Sequence, residues 1–298
     1  MDNALLLNFV SVTVFSLMFA IGINFTFAQL TSLWEQPATL LRSLLAVAVT
    51  VPTIVFLVIH LFNLAPTVAT GLAILAAAPG APMMTKRTEG AGGEPTYAAS
   101  LQLTLALLAV VITPLILALF YTLSDLVTAN VKLVDVARQI GWVTFLPVSI
   151  GILIRRFAPK FSEKIKGPSS VLANILFFGF MLLIVTLLVV SADLRAMLNT
   201  GVGPASAIVV VIVAALITGH FLGGPKQETR SVLAIACIAR NAGLALFIAG
   251  LSDYGQRLIP TMVTYVLLGS VLAIPYSIWS KQRLKRTAAQ MTHDGRSP

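Results

Sequence analysis

The sequence predicts an all-α integral membrane protein with about nine transmembrane helices. Of its 298 residues, 57% are hydrophobic and only 10% are charged, whereas soluble domains are about 25% charged. The mean hydropathy is +0.93, and the apolar residues are gathered in long stretches. This composition excludes a water-soluble domain and a disordered chain, and the single cysteine excludes an internal disulfide.

Nine apolar stretches are candidate membrane spans. Each is close to the length that an α-helix needs to cross a hydrocarbon core about 30 Å thick. They cover residues 5–27, 38–62, 66–84, 96–123, 136–154, 169–190, 205–222, 231–251 and 258–279. The chain starts MDN, without a basic segment or a cleavage site, so we expect the first span to be retained rather than removed as a signal peptide.

The lysines and arginines predict how these spans are oriented, because cytoplasmic loops carry an excess of them. With the N-terminus outside, most of them fall on the inner face: Arg42, Lys86, Arg87, Arg155, Arg156, Lys160, Lys164, Lys166, Lys226, Arg230, Lys281, Arg283, Lys285, Arg286 and Arg296. Four fall outside: Lys132, Arg138, Arg195 and Arg257. We therefore expect a multi-pass protein of the cell (inner) membrane with a cytoplasmic C-terminus.

One cluster of these charges, at residues 155–168, is also typical of a surface that binds nucleic acid or anionic lipid. The positive-inside rule explains it without such a partner, as the cytoplasmic flank of two spans. We therefore expect the lipid bilayer as surroundings and no nucleic-acid partner.

Two spans are interrupted. The third contains Pro79, Gly80 and Pro82, and prolines lack the N–H that a continuous helix needs. The eighth contains Arg240, Asn241 and Gly243 between two apolar halves. Either feature alone is also compatible with a simple kink, which is common in membrane helices.

Each interruption lies in the middle helix of a triplet, spans two to four and spans seven to nine. By the predicted orientation one triplet starts inside and the other outside, so they are candidates for an inverted-topology repeat. Interrupted helices at matching positions of two inverted repeats indicate the binding site of a secondary transporter. Spans one, five and six would form a separate supporting bundle.

Three passages resemble the bile acid:sodium symporter superfamily. MFAIGINFTFAQLTSLWEQP at 18–37 is similar to that family's MFxMGL helix and the loop after it. AAAPGAPMMTKRT at 76–88 lies where the family has a Pro-Gly-Gly break, and IARNAGLALFIAG at 238–250 is similar to its MQNSGLA break. In order and spacing the resemblance runs from about Phe15 to the end of the chain.

The resemblance implies a panel domain and a core domain, with the two broken helices crossing in the core. The implied divisions are a panel helix (1–36), a first core repeat broken at 79–82 (37–123), further panel helices (124–200), a second core repeat broken at 239–243 (201–281) and a cytoplasmic tail (282–298). The resemblance also implies an organic-anion substrate in the crevice between the domains and sodium ions behind the crossing.

The family's sodium ligands carry over only in part. Ser100 and Thr104 match two hydroxyl ligands and Asn241 matches an asparagine, so these three residues are the candidate sodium ligands. Thr85 stands at the second position of a Ser-Asn pair. The family's bridging glutamate would fall at Ala236, its following glutamine at Arg240 and a further glutamine at Val47. Sodium needs hard oxygen ligands, so these replacements weaken the site.

Arg240 is the basic residue left inside a span. An arginine at mid-membrane is costly and is expected to have a partner or a watery cavity. We hypothesise that its charge permanently replaces that of bound sodium. Two alternatives are that its planar fork binds a substrate carboxylate and that it pairs only with backbone carbonyls at the break.

The expected function is secondary active transport of a small organic anion by alternating access, as in the symporters. The alternative is a sodium-independent carrier, proton-coupled or facilitated, in which Arg240 replaces the sodium charge. No cofactor is expected other than sodium itself, and both a monomer and a homodimer are left open. The expected substrate and ion-binding residues are Pro79, Gly80, Pro82, Thr85, Ser100, Thr104, Arg240, Asn241 and Gly243.

Three rival functions, an enzyme, a channel and an antiporter, are disfavoured by the sequence. An enzyme is disfavoured because the chain has no H-E-x-x-H, G-x-S-x-G or aspartate-rich motif. A channel is disfavoured because broken helices in inverted repeats favour alternating access. A proton/cation antiporter usually needs a membrane carboxylate, and no span centre contains Asp or Glu.

Overall fold

The computed structural model describes residues 3–128, 132–190, 202–252 and 255–293, and these residues contain α-helices, short π-helical segments and no strand. The all-α class predicted from the sequence is therefore confirmed for them. The α-helices, numbered α1 to α14 in chain order, are Asn3–Asn24, Phe27–Trp34, Pro37–Leu44, Val51–Leu61, Pro66–Ala77, Met84–Gly90, Pro95–Leu123, Leu133–Ile140, Leu146–Phe157, Pro159–Val190, Val202–Leu222, Gln227–Ile238, Ala242–Gly250 and Gly255–His293. The π-helical segments are Leu45–Thr50 and Gly141–Phe145.

Six segments within the described ranges are long and apolar enough to cross a membrane. They are Pro37–Leu61, Pro95–Leu123, Leu133–Phe157, Gly203–Leu222, Gln227–Gly250 and Gly255–Thr287. A seventh candidate is a pair bent by 95°, Asn8–Asn24 with Phe27–Trp34, and Pro66–Ala77 is a shorter apolar helix. The predicted spans overlap these helices, but the count of nine and the division into repeats and panel stay predictions. Arg195, Arg296 and the boundary at residue 200 lie outside the described residues.

The bend after α1 comes from a helix start that the sequence analysis treated as loop. Thr26 caps α2, since its hydroxyl accepts the Gln29 N–H at 3.3 Å while the Gln29 side chain accepts the Thr26 N–H at 2.8 Å. This reciprocal capping box satisfies two N–H groups that a helix start leaves unpaired. It turns the chain so that α2 packs against α7.

Small residues allow α1 to lie close against α9. A Cβ added to Gly22 would lie 2.2 Å from the Val148 carbonyl oxygen, and one added to Gly151 would lie 2.6 Å from the Ile23 nitrogen. Glycine at both contact points lets the two backbones touch, as is usual where membrane helices cross. With α10 they form one packed group, which meets the rest of the protein where α1 contacts α13.

The basic cluster at residues 155–168 is largely helical, since α10 begins at Pro159. Glu163 forms ion pairs with Arg155 and Lys166 there. Hydrogen bonds from Lys166 and then Arg155 hold the pKa of the Glu163 carboxyl below its ordinary value. Because the group is exposed, these pairs organise the end of the helix and contribute little to stability.

Candidate functional site

The first break separates α5 from α6. The helix ends at Ala77, and Ala78 to Met83 are not α-helical. Gly80 has a positive φ of 78°, and a Cβ there would lie 3.1 Å from the Leu105 Cβ of α7. Glycine is therefore required both by the backbone conformation and by the approach of α7. The predicted residues Pro79, Gly80 and Pro82 thus coincide with the interruption.

The second break separates α12 from α13. Asn241 caps α13, because its side-chain oxygen accepts the Leu244 N–H at 3.0 Å. Gly243 lies in the first turn, where an added Cβ would be 2.7 Å from a methyl group of Val14 on α1. Asn241 and Gly243 therefore have structural roles: one starts the half-helix, and the other lets α1 approach it.

The two breaks are hydrogen-bonded to each other. The Asn241 N–H donates to the Ala78 carbonyl at 2.9 Å, and the Ala81 N–H donates to the Ala239 carbonyl at 3.3 Å. In both bonds the accepting residue directly follows the first half of a broken span. The two interruptions therefore contact each other at a point called the crossing below, and each satisfies backbone groups that the other leaves without a helical partner.

The Arg240 side chain lies against this crossing, and the residue is only 5% exposed. Its Nε donates to the Cys237 carbonyl at 3.0 Å, and its Nη1 donates to the carbonyls of Val47 and Ala76 at 3.2 Å. Its Nη2 also donates to the Val47 carbonyl at 3.2 Å. The Tyr265 hydroxyl lies beside it and donates to the Ile238 carbonyl at 3.2 Å. The guanidinium is thus held by carbonyls from three separate helical segments.

The Val47 carbonyl needs such a donor because of the π-helical segment around it. The Val51 N–H donates five residues back, to Ala46, so it does not serve Val47 as it would in an α-helix. The corresponding π-helical donor for Val47 would be residue 52, which is a proline without an N–H. A buried carbonyl left without a partner is costly, and Arg240 supplies that partner.

The other two carbonyls belong to the last turns of α5 and α12. Helix C-termini carry partial negative charge and unpaired carbonyls. The Ala76 and Cys237 oxygens are such groups, because the helices end at Ala77 and Ile238. The Arg240 charge therefore lies at the negative ends of both first halves of the broken spans.

The hydroxyls predicted as sodium ligands face another helix. The Ser100 Oγ accepts the Leu33 N–H at 3.1 Å, and the Thr104 Oγ1 accepts the indole N–H of Trp34 at 3.1 Å. Both bonds connect α7 to α2. The structure therefore groups Ser100 and Thr104 with α2, and Asn241 with the crossing.

Gln102 is an α7 residue that faces the first break. The sequence predicts that it points away from Ser100 and Thr104, but it is not among the candidate site residues. Its amide oxygen accepts the Thr85 N–H at 3.0 Å and also the Thr85 hydroxyl, while its amide nitrogen donates to the Pro82 carbonyl at 2.8 Å. Gln102 is 1% exposed, so it closes the far end of the break from inside the protein. The signal for Gln102 in the sequence is its spacing: an amide two positions from each hydroxyl lies on the opposite face of the same helix.

A partly open cleft lies against the crossing. On one side it is bounded by residues of α1 and α10, among them Val14 and Phe180, and on the other by the two breaks and α14. Arg87 and Arg240 are among its lining residues, and within the part of the chain that the structure describes no acidic side chain lines it. A mostly apolar concavity with a few polar groups is the usual form of a small-molecule site.

The sequence model of the Sodium Bile acid symporter family matches residues 11–200. The chain belongs to this family. A search of curated proteins found no match. The matched range contains the first break, whereas the second break and Arg240 lie beyond it. The match to the sodium bile acid symporter family thus covers about the first two thirds of the chain. Beyond residue 200 the resemblance rests on the motif at 238–250.

Membership supports a transporter of the bile acid symporter kind and a multi-pass membrane location. Within this family member, the crossing and the adjacent cleft place the expected transport residues next to one another, except Ser100 and Thr104, which bond to α2. Arg240 bonds to helical segments on both sides of the crossing, and Gln102 bonds to both sides of the first break.

Proposed function

We propose that this symporter-family protein carries a small organic anion by alternating access without binding sodium behind the crossing. The observation that supports the proposal is the set of bonds from the Arg240 guanidinium to the carbonyls of Val47, Ala76 and Cys237. In transporters with broken helices, unwound carbonyls and half-helix C-termini are the groups that coordinate a coupling cation. Here a side chain already supplies the cation.

The side chains do not fit a sodium ion at this position. The carbonyl oxygens around the guanidinium each accept a hydrogen bond, and the Asn241 side-chain oxygen caps α13. A sodium ion about 4 Å from the guanidinium would be repelled by about 4 kcal/mol at an effective dielectric constant of about 20. That repulsion corresponds to about a thousandfold loss of affinity.

An anionic substrate is supported by the charges around the cleft. Two arginines line it, and the lining residues that the structure describes include no acidic one, so we expect a positive electrostatic potential there. The remaining walls are mostly apolar. A carboxylate with an apolar body matches both properties, and the half-helices of the two breaks would then move as one body relative to α1 and α10.

The test is uptake into proteoliposomes that contain the purified protein. Octanoate and benzoate are suitable probes, with octanamide and benzamide as neutral counterparts. Uptake is measured with an inward sodium gradient, with an equal choline gradient and with a pH gradient. We expect anion uptake that does not differ between sodium and choline.

Two outcomes would contradict the proposal. Uptake that requires the sodium gradient would restore the sodium symport implied by the family. Uptake of the neutral amides at the same rate as the acids would show that the carrier does not select for anions. Stimulation by the pH gradient of the uptake that exceeds that of protein-free liposomes would identify proton coupling, and its absence would identify facilitated movement.

A further inference from the structure

A second groove meets the central cleft at Arg87. It is a more open depression, bounded by α6, α12 and one face of α14. Ser270, Ser277 and Lys281 follow one another along that face, and α14 rises about 16 Å from Ser270 to Lys281. Arg87 lines both the cleft and the groove. The groove thus runs from Arg87 toward the end of α14 for which the charge distribution predicts a cytoplasmic location.

The Arg87 guanidinium has N–H donors beyond the one that bonds within the protein, whereas Arg240 donates mainly to backbone carbonyls. Its Nη2 donates to the Ser270 hydroxyl at 3.0 Å, and that hydroxyl in turn donates to the Val266 carbonyl. Among the described residues, the ion pairs found join Glu163 to Arg155 and Lys166, and Arg87 belongs to neither. Arg240, by contrast, donates four hydrogen bonds to backbone carbonyls.

We propose that Arg87 binds the carboxylate of the substrate at the junction of the cleft and the groove. This inference rests on the proposed function and names the residue that recognises the anion. The planar guanidinium offers two parallel N–H donors that match a carboxylate. The apolar walls of the cleft, formed in part by Val14, Leu17 and Phe180, accept the apolar body.

The position of Arg87 also connects binding with release. A carboxylate held there borders the groove as well as the cleft. Lys281 provides a second positive charge at the far end of the groove. An anion that leaves Arg87 toward this end therefore moves between cations along a path whose described lining residues include no acidic side chain.

The experiment compares Arg87→Gln with Lys86→Gln, its exposed neighbour on α6. Dissociation constants for octanoate and octanamide are measured on detergent-purified protein by isothermal calorimetry. Loss of a charged hydrogen-bonded pair is expected to weaken octanoate binding about 10- to 100-fold in Arg87→Gln. Octanamide binding should stay unchanged, and Lys86→Gln should bind both ligands as the parent protein does.

Wild-type octanoate affinity in Arg87→Gln would overturn the Arg87 assignment and leave the transport proposal intact. Failure of the unaltered protein to bind or carry any of the anions would instead overturn the proposed function itself.

A second measurement covers the case in which Arg87→Gln does not fold. The native thiol, Cys237, is fully buried, so a Ser270→Cys variant provides one accessible thiol beside Arg87. Octanoate should slow its reaction with a maleimide, and octanamide should not. Equal rates with and without octanoate would overturn the proposal.

Discussion

Replacing Arg240 by methionine tests the carbonyl cage most directly. Methionine has similar length and no charge, so it leaves the carbonyls of Val47, Ala76 and Cys237 without their donor. A buried group left unpaired costs about 1–3 kcal/mol. The variant is therefore expected to lose about 3 kcal/mol or more, which at roughly 2 °C per kcal/mol for a chain of this size lowers the melting temperature by about 6 °C.

The buried thiol of Cys237 provides the assay. A maleimide dye that fluoresces on reaction reports the melting of detergent-purified protein, because Cys237 becomes accessible only when α12 opens. Arg240→Lys keeps the charge but has neither the planar fork nor the same number of donors. Its melting temperature should fall between those of the parent protein and Arg240→Met.

Sodium completes this test. The parent protein should melt at the same temperature in sodium chloride and in choline chloride of equal ionic strength, since a ligand stabilises only what it binds. Equal melting of Arg240→Met and the parent protein would refute the cage, and selective stabilisation of the parent by sodium would refute the replacement of sodium by Arg240.

The remaining predictions concern the crossing and the orientation. Gly243→Ala should slow transport because the new methyl would lie 2.7 Å from Val14, and adding Val14→Ala should restore the rate; a double variant as slow as the single one would exclude this contact as the cause. Gln102→Leu leaves the Pro82 carbonyl and the Thr85 N–H without partners, so we expect a loss of about 2 kcal/mol or more in thermal unfolding; unchanged melting would contradict it. In intact cells an impermeant maleimide should label Lys132→Cys and not Lys160→Cys; the reverse pattern would invert the predicted orientation.

The positions of the interruptions could be predicted because their causes are local. Proline lacks an N–H wherever it stands, and Pro79 and Pro82 end α5 without help from the rest of the chain. The same holds for Arg240, since a guanidinium inside an apolar span must find partners in any fold. Residue type and position alone were enough to mark these sites.

The face of α7 that meets the break could not be predicted. Ser100, Gln102 and Thr104 stand in a helix that is apolar nearly all round, so the sequence pattern does not show which side faces which neighbour. Successive residues point about 100° apart, and a shift of two positions exchanges the face toward α2 with the face toward α6. The packing of α2, which begins at the unexpected cap on Thr26, places the two hydroxyls away from the break.

The sequence by itself determined the membrane class, the helical content, the two interruptions and the presence of one arginine at mid-span. These follow from composition and from residues close together in the chain. Only the tertiary structure decided what Arg240 does there, because the Val47 carbonyl is 193 residues away from it. That carbonyl is available through a π-helical turn and the missing N–H of Pro52, and the crossing of the two breaks brings the guanidinium to it.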